Sequence, residues 1–239
     1  LFYKNRDDSI FTGTVHVDGA YFCGKRRDAN KRGAAFNKKV AGVQSAVYAT
    51  YGAPTGRQRR AKHLVPGGKA NAKRKLKRRV VIAIRELSNN QNSGASKTRV
   101  TIARREHEND VIPFIHQHVQ SGSIIMSDEN PAYNQLAANY NHKTVQHAVE
   151  YQADDGTTNN QAESFNSRMR RAEYGIYHGF RPTYLMIYAC ETAWMEDNRR
   201  KSLRERYELI FRLISKSGLS EYFRGYWQGN RLQEELLNR

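Results

Sequence analysis

A short apolar run that stops at an acid, SIIMSD at residues 123–128, is the feature that most constrains the fold. An ionised carboxylate at the end of a buried strand is costly unless it has a partner. The same problem recurs in TVHVDGAYF at residues 14–22, where Val15 and Val17 alternate with polar neighbours and Asp18 follows within the strand. If these two strands are neighbours, Asp18 and Asp128 can converge on one cation. Either acid alone is compatible with a purely structural role.

The remaining elements support that adjacency. VVIAIREL from Val80 reads as a buried strand, SNNQNSGAS as a turn and TRVTIA from Thr98 as the next strand, giving an antiparallel hairpin. Residues 108–119 place Val111, Ile112, Ile115 and Val119 at helical spacing, with Pro113 near the helix start. NPAYNQLAANY reads as a helix and HKTVQHA as a strand. Residues 160–173 and 183–200 are helical in character, and the tail from Ser202 is also read as helical. The order is three strands, helix, strand, helix, strand, helices, which predicts an α/β fold with a mixed sheet flanked by helices. Parallel neighbours need a crossover, and the helix at 108–119 supplies one, so the strand around 15–20 is expected centrally beside that at 123–127.

Charge narrows the partner. Lys and Arg number 40 against 23 Asp and Glu, a formal charge of +17, which favours a polyanion. Nucleic acid is preferred to membrane because the basic stretches lack an amphipathic apolar face. No apolar run approaches the roughly 20 residues of a membrane-spanning helix, so a soluble, intracellular protein is expected. Cys23 and Cys190 cannot by themselves form a four-ligand zinc site, and nothing in their separation suggests a disulfide. Much of the positive charge lies in a long basic insertion over about 25–79, where Arg57, Arg59, Arg60, Lys73, Arg74, Lys75, Lys77, Arg78 and Arg79 sit among Gly, Asn and Pro. The insertion is expected to grip DNA backbone without reading sequence.

The third element of the site is NQAESFNSRMRR. Asn160 and Glu163 stand three residues apart on one helix face, and Glu163 follows Asp128 by 163 − 128 = 35 positions. Hard oxygen ligands on separated elements suit Mg²⁺ or Mn²⁺. Two such ions about 4 Å apart can activate a nucleophilic oxygen and stabilise the leaving oxygen in phosphodiester cleavage. The plainer alternative is that Glu163 only offsets the positive end of a helix.

VDGAYF, the SDE that contains Asp128, DGTTNNQAESFNSRMRRAEYGIYH and YACETAWMEDNRR together resemble the catalytic core of bacterial insertion-sequence transposases of the DDE superfamily, in the group related to eukaryotic Merlin elements. The resemblance runs in order from about Val15 to Arg200. It implies a ribonuclease H-like catalytic domain over 1–200, followed by a helical C-terminal extension over 201–239. It also implies a two-metal Mg²⁺ or Mn²⁺ site on Asp18, Asp128 and Glu163. Asn160 joins these as a catalytic residue, and Arg170 matches a basic residue later on the same helix. The expected partners are double-stranded DNA, at transposon ends and target, and further copies of the chain on that DNA. A bacterial, cytoplasmic and nucleoid-associated location follows from the same resemblance. The alternative is a domesticated or inactive transposase-derived protein that binds DNA without cutting it.

Overall fold

The computed structural model describes residues 1–23, 78–88, 94–145 and 158–220, together with 225, 228–229, 231–232 and 234–237. Leu1–Cys23 and Arg79–Arg239 belong to one compact unit, and Gly24–Arg78 separates as another. Apart from Arg78 and Arg79, the basic segment lies outside the described residues.

Five strands form a single sheet. β1 (Thr14–Phe22) pairs antiparallel with β2 (Arg79–Leu87), which pairs antiparallel with β3 (Ala95–Ala103). On its other side β1 runs parallel to β4 (Ile124–Asp128), and β4 runs parallel to β5 (Asn141–Val145). The order β3-β2-β1-β4-β5 puts β1 at the centre, as the two acid-bearing strands predicted. Helix α1 (Glu108–His118) makes the crossover from β3 to β4.

The period of two along each strand separates two cores. Val15 and Val17 of β1 and Val80, Ile82 and Ile84 of β2 pack with Val111, Phe114 and Ile115 of α1. The alternate residues Ala20, Phe22, Val81 and Ala83 face Phe165 and Met169 of α2 (Asn160–Arg171) and Leu185, Ala189 and Ala193 of α3 (Leu185–Asp197). β2 is therefore covered on both faces, which is why VVIAI reads as an unbroken apolar run.

Two helical segments differ from expectation in kind or extent. Pro131–Ala138 is a 3-10 helix, begun by Pro131 and by the Asn130 side chain, which accepts from the Ala132 amide. The C-terminal helix α4 (Leu203–Lys216) opens with a reciprocal Ser202–Glu205 capping box but ends at Lys216, and residues 217–220 are not helical. Leu236 and Leu237 return to pack against the α2/α3 core.

Candidate active site

Asp18 and Asp128 reach the same level of the sheet because β1 and β4 are parallel. Their register pairs Thr14 with Ile124 and His16 with Met126, and carried two residues further it sets Asp18 beside Asp128. Asp18 lies on the face that α2 covers. Asn166 of that helix donates from Nδ2 to Asp18 Oδ2 at 2.8 Å. Asp128 closes β4, and its Oδ1 accepts from the Asn130 amide at 3.2 Å.

Helix α2 is fixed over β1 by its first turn. The Gln161 amide donates to His16 Nδ1 at 3.4 Å, and the Gln161 carbonyl accepts from Arg85 Nη1 at 2.9 Å. The first of these contacts requires a neutral imidazole, and burial followed by the charge of Arg85 pushes the His16 pKa down to about 4. Arg85 is in turn held by Thr98 Oγ1 at 3.1 Å and by Glu196 at 3.6 Å. Two buried polar side chains on the strands thus set the height of the helix that carries Asn160, Glu163 and Asn166.

An open cleft of about 600 Å³ runs between β1 and α2, lined by Asp18, Asn160, Glu163, Asn166 and Arg170 together with two serines. Asn160 and Arg170 are exposed at its mouth and Glu163 is half-buried. Asn166 is only 2% exposed, and its Oδ1 is a buried acceptor with no hydrogen-bond partner. Asp128 does not line this cleft, yet its charge reaches it. The Asp18 pKa is pushed up to about 7, first by burial and then by the charges of Asp128, Glu106 and Glu163, against the lowering effect of the Asn166 hydrogen bond. Among the described residues, no three Asp, Glu, His or Cys side chains converge tightly enough to enclose an ion as they stand.

The donor set nevertheless fits a divalent cation. Crowded carboxylates that oppose one another's ionisation are relieved by a hard cation, and the orphaned Asn166 Oδ1 is an oxygen of the kind such an ion accepts. Glu163 also lies in the first turn of α2, so its interaction with the helix dipole coexists with the site geometry.

Residues 10–197 match the ISXO2-like transposase domain. The chain belongs to this family of insertion-sequence DDE transposases. No curated protein and no solved structure matches it. Membership makes this a DNA transposase domain and implies nuclease and strand-transfer activity, DNA binding and, as is general for DDE transposases, use of a divalent metal. The five-stranded mixed sheet flanked by helices is compatible with a ribonuclease H-like fold. No helix among the described residues is long and apolar enough to cross a membrane.

The transposase site contains residues that sequence reasoning did not single out. Asn166 continues the spacing of Asn160 and Glu163 by three more residues, and that spacing is its signal in the sequence. His16, Arg85 and Glu106 had no comparable signal. Of the basic residues, Arg57, Arg59, Arg60, Lys73, Arg74, Lys75 and Lys77 lie outside the described residues, and Arg78 is exposed. Arg79 opens β2 and is engaged by Glu235 through two contacts, at 2.5 and 2.7 Å. Among the aromatic residues near the cleft helices, Trp194 stacks on Phe2 and Tyr177 packs against Phe180 and Tyr188, whereas Tyr174 is exposed.

Proposed function

We propose that this transposase domain cleaves phosphodiester bonds at transposon ends and transfers the resulting strand to target DNA, with Asp18, Asp128 and Glu163 holding Mg²⁺ or Mn²⁺. The observation that carries the reading is Asp18: a half-buried carboxyl on the central strand, pushed up to about 7 by burial and three surrounding acids, beside an orphaned amide oxygen. The bound metals supply charge neutralisation and activation of a nucleophilic oxygen. Glu163 is the third carboxylate in preference to Asn160, because an anion binds Mg²⁺ more strongly than a neutral amide. Asn160, at the mouth of the cleft, orients the substrate or contributes its weaker carbonyl. Arg170 meets the DNA backbone from the same helix face.

The narrower placement beside Merlin elements, the ribonuclease H-like assignment, the bacterial and nucleoid-associated setting and self-association on DNA belong to this same proposal. So does the division into a catalytic domain over 1–200, interrupted by the basic insertion, and an extension over 201–239. Nicking of a DNA duplex with and without Mn²⁺ tests the reading. Wild type is expected to nick only with metal, and Asp128→Asn to lose that activity by orders of magnitude. DNA binding by both proteins with no metal-dependent nicking by either would instead support the inactive DNA-binding alternative.

A further inference from the structure

Glu106 has no part in the chemistry described so far, yet it is held more firmly than its loop position requires. It lies in the link between β3 and α1. Its backbone N–H donates to the Tyr21 hydroxyl at 3.2 Å, and its carboxylate Oε1 accepts from the Tyr133 hydroxyl at 2.6 Å. Tyr133 is wholly buried, on the 3-10 helix that follows Asp128. The two tyrosines therefore fix both the main chain and the side chain of Glu106.

The place where the carboxylate is held is unusual. A Cβ built on Gly19 would stand 2.3 Å from Glu106 Oε1 and 2.8 Å from Oε2. The carboxylate thus occupies the space that a side chain would take at the residue next to Asp18, and only glycine permits the approach. β4 ends at Asp128, level with Asp18, so Gly19 projects past the end of β4 where the sheet is open. Glu106 enters there on the face opposite α2, within electrostatic reach of both Asp18 and Asp128. Pressing a third anion against two others works against folding unless a cation is shared among them.

We propose that Glu106 is a fourth carboxylate of the divalent-cation site, brought to it over Gly19 and positioned by Tyr133 and Tyr21. The inference rests on the metal reading of Asp18 and Asp128 given above. If Glu106 served only as Tyr133's acceptor, a glutamine amide oxygen would do equally well, because it keeps the acceptor and removes only the charge.

Mn²⁺ titration of the full chain by calorimetry separates the two roles, with circular dichroism reporting the fold. Glu106→Gln is expected to weaken Mn²⁺ binding by roughly 10- to 100-fold, the loss typical of an important group around a metal site. Gly19→Ala should weaken it similarly by displacing the carboxylate, and Tyr133→Phe should fall between these variants and wild type. Should Glu106→Gln not fold, Glu106→Asp, which keeps the charge but shortens its reach, is expected to show the same weakening. Wild-type Mn²⁺ affinity in these variants, alongside loss of affinity in Asp128→Asn, would overturn the role of Glu106 and leave the metal site standing. Failure of wild type itself to bind Mn²⁺ would overturn both.

Discussion

Asn166 holds Asp18 by a single hydrogen bond, Nδ2 to Oδ2 at 2.8 Å, and this bond favours the ionised form of a carboxyl that burial and neighbouring acids push up to about 7. The balance bears on both stability and activity.

Free of metal, the folded protein should become less stable as pH rises from about 4 to about 7. Across that window the folded Asp18 still binds the proton that the unfolded carboxyl, at its ordinary 3.8, has released. Asp18→Asn keeps an acceptor for Asn166 and removes the charge. The variant is expected to be more stable than wild type at pH 8, by on the order of 3 kcal/mol, with the gain vanishing below pH 4. Urea unfolding in chelator at both values measures this. An equal difference at both would show that Asp18 ionises normally in the folded state.

Asn166→Ala removes the stabilising donor and leaves a buried acceptor unpaired, at a cost of about 1–3 kcal/mol. The Asp18 pKa should rise further, so the acid limb of the pH–cleavage profile should move to higher pH. A profile of unchanged shape with lower amplitude would assign Asn166 to packing alone.

Glu196 is buried between Arg85, Arg168 and Arg199, and Arg85 is the residue that grips the first turn of α2. Glu196→Gln leaves a 1%-exposed guanidinium short of its carboxylate, although Asp197 still acts on it. Breaking a buried pair in this way costs about 3 kcal/mol or more. Because α2 carries Glu163, cleavage should fall with stability, and a chemical denaturation curve beside an activity assay tests the link. Loss of stability with full cleavage would detach Arg85 from the positioning of α2.

The framework of this site was legible because it depends on strands with a clear period. Val15 and Val17 point one way, Asp18 the other, and the apolar run before Asp128 leaves little choice of register. Helix α2 was legible for the same reason. Glu106 was not, since RREHEND is a polar link without periodicity and its role arises from the absence of a side chain at Gly19, 87 positions earlier by 106 − 19. Arg85 and His16 sit inside strands as polar interruptions, and only the packing of α2 shows what they hold. Pro131–Ala138 was expected simply as a helix, because eight residues of mixed spacing do not separate a period of 3.0 from one of 3.6.

For the basic segment, charge alone sets the expectation. Reversing Arg57, Arg59 and Arg60 should weaken binding to all duplexes alike and flatten the dependence of log affinity on log salt by up to about 0.9 for each phosphate no longer neutralised. Filter binding across a salt series measures the slope. An unchanged slope would reduce these arginines to a solvated surface.

Glu163 gives the sharpest test, because two physical readings of it make opposite demands. As a metal-holding carboxylate, it contributes negative charge and a hard oxygen to the cleft it lines with Asp18. As a helix-end charge, it contributes only a favourable interaction with the first turn of α2, about 0.3–1 kcal/mol, and none of that concerns DNA. Glu163→Gln preserves the shape of the side chain, so fold and DNA binding should be retained under either reading. Under the first, cleavage should fall by orders of magnitude and Mn²⁺ binding should weaken, while Asn160→Ala, at the exposed mouth of the cleft, has a milder effect. Under the second, cleavage should be normal and only the melting temperature should shift slightly. Normal cutting by Glu163→Gln together with a dead Asn160→Ala would reverse the two roles and make the amide the third member of the site.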